Sequence, residues 1–239
     1  DYPTLIAHEY SRVQKLLQED SPYGAYFELK DVFEILLKFP TLISISMIIE
    51  QNRFEIENFK KEEMAESEYR ILSKIFSRLT LGQWKGLANS ININIDYLHD
   101  DIKEILSGVL SMYQKNRLKN WRDDNIGHGA LKFSDNADFV EDILNKLSII
   151  KAHFKEHDSL YSNLDLYLSE HEASIFKGKQ LEAEGFSSYD KMHIKINEIK
   201  QYLAPFFVNK KMDNKNYIYF YDAFNWNKDA YYILNYMYG

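Results

Sequence analysis

The chain has 239 residues, a net charge of −7, 45% hydrophobic residues and 27% charged residues, a composition that excludes a disordered or low-complexity polymer. It contains no cysteine, which excludes disulfide frameworks, cysteine-ligated zinc or iron–sulfur sites and cysteine nucleophiles. The negative charge argues against a histone-like nucleic-acid binder, so any contact with a polyanion requires a local basic patch.

Hydrophobic periodicity predicts helices over the first two thirds of the chain. Between residues 4 and 152, apolar residues recur at intervals of three and four, with short breaks between the periodic stretches. The helix that begins near Pro22 is long and apolar on nearly all sides after Phe39, which is typical of the central helix of a bundle. We expect Pro40 to kink it. Further helices are predicted over residues 68–79, 81–89, 97–118 and 136–157.

The pattern changes after about residue 162. Short segments rich in β-branched and aromatic residues, separated by turn residues, predict strands near residues 164–168, 173–177, 192–199 and 217–222. We therefore predict a mainly α protein, with a helical bundle over residues 1–160 and a small β-containing appendage over residues 161–239. Because the sequence ends directly after an aromatic run, we expect it to continue into further domains of a longer protein.

The sequence also gives expectations about location. No stretch approaches about 20 uninterrupted apolar residues, and the first residues lack the basic and apolar regions of a secretory signal. We therefore expect no membrane association. Together with the absence of cysteine, this predicts a cytoplasmic protein.

One basic segment stands out against the acidic background. Between residues 105 and 122 the chain carries basic residues and no acidic one. If one helix continues to Arg122, then Lys115, Lys119 and Arg122 lie on one face, where they would hold a phosphate. We take Lys115, Lys119 and Asn125 as candidate RNA-binding residues.

The end of this segment suggests a chemistry. Gly127 and Gly129 bracket His128, which lets the backbone turn tightly and leaves the imidazole exposed. Histidine transfers protons near neutral pH, and the guanidinium of Arg122 neutralises charge that grows on phosphoryl oxygens. This pair suits RNA cleavage without a metal or cofactor, and two copies brought together by dimerisation would supply both an acid and a base. Asp123 or Asn125 would orient the imidazole.

The same residues resemble a known motif. Five residues separate Arg122 from His128, and the first of them is the polar Asp123. This spacing resembles the R-x4–6-H motif of the HEPN superfamily. The run over residues 120–129 looks like the version found in N-terminal helical modules of larger bacterial proteins, many of them linked to defence or toxin systems. The segments that also look like this group are residues 9–12, 33–39 and 219–222.

The resemblance implies a HEPN-like bundle that forms a homodimer through the motif face. It implies, for active members, a metal-independent endoribonuclease that leaves a 2′,3′-cyclic phosphate, with Arg122 and His128 as the catalytic pair and Asp123 as their polar support. Many members of the superfamily are inactive. The alternative is therefore a non-catalytic dimerisation or sensing module that regulates an effector domain outside this chain.

Two other interpretations remain open from the residues alone. Arg122 and His128 can simply cap a helix terminus, since cations favour helix C-termini. Separately, His153, Glu156 and His157 match the short H-x-x-E-H pattern in which two histidines one turn apart bind zinc, although a third ligand from another element would be needed. The sequence has no glycine-rich phosphate loop and no nucleophile elbow.

Overall fold

A computed structural model describes the backbone of residues 3–52, 65–75, 79–126, 136–168, 190–196, 199–202, 207–212, 215–225 and 230–234. Within these ranges, side chains are described up to residue 164, except at positions 4 and 136. The helices in these ranges are α1 (Thr4–Gln18), α2 (Pro22–Gln51), α3 (Glu66–Ile75), α4 (Leu81–Asn94), α5 (Asp100–Lys115), α6 (Leu118–Asn125) and α7 (Asn136–Ser162). The described part of the chain is thus mainly helical, and the predicted fold class is confirmed at this level.

Helix α2 is the centre of the helical part. Its residues from Ile35 to Ile49 are all buried, because α1, α4, α5 and α7 pack around it. The helix continues through Pro40, which lacks an N–H, and the hydroxyls of Thr41 and Ser44 donate to the carbonyls of Leu37 and Pro40. These bonds satisfy two polar side chains that would otherwise be buried without a partner.

Among the described helices, α2 alone is long and apolar enough to cross a membrane by length and composition. Its most apolar window has a mean hydropathy of 1.9, and 89% of that window is buried inside the structure. The same test is passed by the core helices of globular proteins, so the finding is weak evidence and indicates no location.

Helix α1 is held against α2 by an ionic cluster in which a half-exposed arginine meets two more deeply buried carboxylates. The guanidinium of Arg12 lies 2.7 Å from the carboxylate of Glu28 and 3.8 Å from that of the fully buried Glu9. Burial raises the pKa of Glu28 to about 7, opposed by Arg12 and reinforced by Glu9. Arg12 thus forms ion pairs with two carboxylates at the interface between α1 and α2.

The segment after α5 differs from the prediction. The helix predicted over residues 97–118 does not continue to Arg122, so the condition for placing Lys115, Lys119 and Arg122 on one helix face is not met. Helix α5 ends at Lys115, and Arg117 adopts a left-handed conformation with a φ of 49° before α6 begins. The side-chain amide of Asn116 donates to the carbonyl of Met112 and helps to close the end of α5. The break separates Lys115 from the other two cations.

The short helix α6 is fixed by its buried Trp121. The indole ring packs on Tyr26 and Phe33 of α2, with ring centroids 5.4 Å and 5.5 Å away. The carboxylate of Asp142 on α7 accepts hydrogen bonds from the Trp121 Nε1, the Tyr26 hydroxyl and the Lys146 Nζ at 2.7, 3.0 and 2.9 Å. One carboxylate therefore ties together α2, α6 and α7.

The backbone after α7 forms antiparallel strands. These are β1 (Leu164–Leu168), β2 (Asp190–Ile196), β3 (Ile199–Tyr202), β4 (Phe207–Met212), β5 (Lys215–Asn225) and β6 (Ala230–Leu234). The strand order is β1-β2-β4-β5-β6, and β3 pairs with β2. The strand predicted over residues 173–177 lies outside the described residues. The HEPN-like arrangement, the domain boundary near residue 160 and the status of the last part as an appendage stay predictions.

The Asp142 carboxylate should contribute strongly to stability. Asp142→Asn removes the charge that pairs with Lys146, a side chain with 12% of its surface exposed, and weakens the bonds to Trp121 and Tyr26. Because a largely buried cation is left unpaired, we expect a loss of about 3 kcal/mol in the free energy of unfolding, measured by urea denaturation. Glu141→Gln, on the exposed side of α7, is the matched control and should change stability by less than about 0.5 kcal/mol. Equal effects of the two substitutions would contradict this account.

Candidate functional site

Arg122 lies in the last turn of α6, directly after the buried Trp121. Its side chain is 32% exposed, and its two terminal nitrogens contact carboxylates: Nη1 lies 3.0 Å from Asp123 Oδ1 and Nη2 lies 3.9 Å from Glu34 Oε1 of α2. Its Nε is buried and has no hydrogen-bond partner in the described part of the chain. The guanidinium is thus held in place from two helices.

These contacts belong to a longer chain of alternating charges. The other carboxylate oxygen of Asp123 lies 2.6 Å from the Lys119 Nζ, and Glu34 Oε2 lies 3.1 Å from the Lys38 Nζ. We call the set Lys38, Glu34, Arg122, Asp123 and Lys119 the ionic row. It contains three cations and two carboxylates, so it keeps a net positive charge in a chain that is acidic overall.

The two ends of the ionic row differ in exposure. Lys38 is almost fully buried and lies 5.9 Å from the ring centroid of the buried Trp84, a cation–π contact. Lys119 is 45% exposed, and its stem passes over Gly82 at the beginning of α4, where an added Cβ would lie 2.8 Å from Lys119 Cε. The Lys119 and Arg122 end of the row is therefore the part that a ligand can reach.

Asp123 is ionised at neutral pH. Partial burial by itself would raise its pKa, but hydrogen bonds from Lys119 and Arg122 and the positive charges of both hold the pKa of Asp123 below its ordinary value. A carboxylate in this state cannot donate a proton. It serves to position the two cations, in agreement with a supporting rather than an acid–base role.

The structure places the other predicted site residues as follows. The Asn125 side chain donates to the carbonyl of Trp121 and thereby helps to end α6. Lys115 lines a cleft of about 420 Å³ between α5 and α7, on a different helix from Lys119 and Arg122. His128 lies outside the described residues, so its distance from Arg122 stays a prediction.

Sequence reasoning missed Glu34 and Lys38. The sequence does contain an indication of their role, because this glutamate and lysine, four residues apart, interrupt the most apolar predicted helix. Charged residues inside such a helix are expected to pair with each other or with a partner on another element. The signal does not reveal that the partner is Arg122, which is 88 positions away.

The H-x-x-E-H hypothesis has little support in the described residues. His157 Nδ1 donates to the carbonyl of His153, and His153 Nε2 lies 3.0 Å from the Tyr161 hydroxyl. The two rings stack with centroids 4.5 Å apart, and His157 Nε2 packs against Gly108, where any Cβ would collide with it. No group of three or more possible metal ligands is found among the residues that the structure describes.

Comparison with known proteins gives no family for this chain. No protein-family model, no curated protein and no solved structure matches it. The function must therefore be inferred from the residues of the site.

The buried His153 should make stability depend on pH. Burial, and secondarily the neighbouring His157, lowers the pKa of His153 to about 4 from 6.5. In the unfolded chain the imidazole takes up a proton near pH 6.5, whereas in the folded chain it stays neutral until about pH 4. The contribution of neutral His153 is therefore present above pH 6.5 and is lost as the pH falls toward 4.

We expect the stability difference between the wild type and His153→Gln to shrink by about 2 kcal/mol between pH 7.5 and pH 5, measured by urea denaturation. Tyr161→Phe keeps the imidazole and removes only its hydroxyl partner, so this control should retain the pH dependence of the wild type. A difference that stays constant over this range would show that His153 is not buried in its neutral form.

Proposed function

We propose that this chain is a metal-independent endoribonuclease of the HEPN type, active as a homodimer in the cytoplasm and used in bacterial defence or as a toxin. The observation that carries the proposal is the reachable pair of cations on α6. Lys119 and Arg122 are three positions apart, are 45% and 32% exposed, and are held together by Asp123. They immediately precede the segment that contains His128.

The proposed chemistry uses the ionic row to hold an RNA phosphate. The Arg122 guanidinium binds a non-bridging oxygen and stabilises the charge that develops as the phosphorus becomes five-coordinate. His128 of one copy removes the proton from the 2′-hydroxyl, and His128 of the second copy protonates the leaving 5′-oxygen. The 2′-oxygen attacks the adjacent phosphorus, which gives a 2′,3′-cyclic phosphate and a free 5′-hydroxyl without water or a metal as reactant.

Glu34 helps to orient the guanidinium of Arg122 in the proposed site. It contacts Arg122 from α2 and is itself paired with the buried Lys38, so the guanidinium is oriented before the substrate arrives. Preorganisation of this kind reduces the reorganisation that would otherwise accompany the transition state. Lys119 then adds a second positive charge for the neighbouring phosphate.

A specific observation favours the alternative, a non-catalytic dimerisation or sensing module. Both exposed cations of the ionic row are already paired with Asp123, and Arg122 also contacts Glu34. These carboxylates neutralise much of the charge that would attract a phosphate. In this alternative, the ionic row stabilises the end of α6 and the dimer regulates an effector domain outside the chain.

Incubation with tRNA and mixed RNA in EDTA tests the proposal. We expect the wild type to cut RNA and to leave 2′,3′-cyclic ends, because the 2′-oxygen is the nucleophile. His128→Ala and Arg122→Ala should each reduce the rate by about 100-fold or more. Lys85→Ala, on α4 and outside the ionic row, is the matched control and should cut like the wild type.

Light scattering checks that the wild type and each variant are dimeric, and circular dichroism checks that they are folded. Absence of cleavage by a folded, dimeric wild type would contradict the ribonuclease and support the interaction module. Cleavage that persists in both His128→Ala and Arg122→Ala would show that the reaction does not use these residues.

A further inference from the structure

A groove of about 470 Å³ lies between α1 and α7, apart from the ionic row. Its lining includes the half-buried Ala7 and Tyr10, Phe154, which is 9% exposed, and the fully buried Ile6, and the exposed Lys151 and Lys155 lie at its rim. We call it the α1–α7 groove. Ile6 and Phe154 are buried core residues, and the ring of Tyr10 meets that of Phe154 edge to face with centroids 6.4 Å apart. The floor of the groove is therefore formed by packed side chains of the core.

The two lysines at the rim are unlike most lysines of the helical part. Lys38, Lys119 and Lys146 each pair with a carboxylate four positions away on the same helix. Lys151 and Lys155 are instead four positions from each other, and neither forms an ion pair with any side chain that the structure describes. Two like charges at this spacing destabilise a helix slightly, because they repel each other across one turn.

The residues that line the groove include no acidic side chain. This lining contrasts with the whole chain, in which 36 acidic residues outnumber 29 basic ones. The groove thus combines an apolar floor with a positive rim that no acidic lining residue balances. A ligand that matches both parts has an apolar body and an anionic group at one end.

We propose that the α1–α7 groove binds a small amphipathic anion, a molecule with an aliphatic or aromatic body and a single carboxylate or phosphate group. The apolar body packs on Ala7, Tyr10 and Phe154, and the anionic group lies between Lys151 and Lys155. The volume falls within the range of small-molecule sites, roughly 300–1,000 Å³. The proposal uses none of the residues of the ionic row and does not depend on the ribonuclease activity.

Calorimetric titration with ligands that share one apolar body tests this proposal. The probes are decanoate, decyl phosphate, decanol and decyltrimethylammonium, each below its micellar concentration. We expect the two anions to bind at least tenfold more tightly than the alcohol, because only they gain the two ammonium contacts. The cationic probe should bind most weakly.

Substitutions test the positive rim and the apolar floor of the groove separately. Lys151→Ala combined with Lys155→Ala should weaken decanoate binding at least tenfold and leave decanol binding nearly unchanged. Lys85→Ala on α4 is the matched control and should bind decanoate like the wild type. Ala7→Phe places a ring in the groove without changing its charge and should reduce binding of all four probes, with the fold checked by circular dichroism.

Three results would overturn the proposal. The first is binding that does not depend on the charge of the head group, and the second is decanoate binding that survives the double lysine substitution. The third is binding only to vesicles of anionic phospholipid, with none of the free probes bound, which would make the groove a membrane contact instead.

Discussion

The placement of α6 depends on one carboxylate, that of Asp142. It accepts hydrogen bonds from Trp121 of α6 and Tyr26 of α2, and its charge is balanced by Lys146 one turn away. An eight-residue helix has little stability of its own, so tertiary contacts must hold it. With Trp121 fixed inward, the next residue, Arg122, is directed along the surface toward Glu34. The candidate site is thus a consequence of how the core anchors one indole ring.

Pairing of partly buried charges is the second feature that organises the helical part. Lys38 and Glu34 interrupt the central apolar helix. The desolvation cost of burying these charges is offset because the two groups lie 3.1 Å apart and pair with each other. The same pair extends to Arg122 and Asp123, so the core helix and the candidate site share one electrostatic network. The α1–α7 groove differs because its two lysines lack such partners among the described residues, which is why we interpret it as a place for an external anion.

Hydrophobic periodicity predicted the mainly helical class and the central position of α2, because burial on all sides leaves a continuous apolar pattern. It predicted a helix end near residue 118, but not the position of the break or the short helix α6 that follows. The left-handed residue at the break is Arg117 rather than a glycine, so the usual glycine signal of a helix end is missing there. It also could not predict the contact between Glu34 and Arg122, since pairing between distant segments depends on how the helices pack. The pairing of Arg122 with His128 stays a prediction.

The proposed reaction is attack of the RNA 2′-oxygen on the adjacent phosphorus near the C-terminal end of α6. Substitution of a single ribose by 2′-deoxyribose at a mapped cleavage site of an oligonucleotide separates this reaction from any other. We expect cleavage at that bond to disappear in EDTA while cleavage at unmodified sites continues at the same rate. Continued cleavage at the deoxy-substituted bond would contradict the account, because that bond has no internal nucleophile.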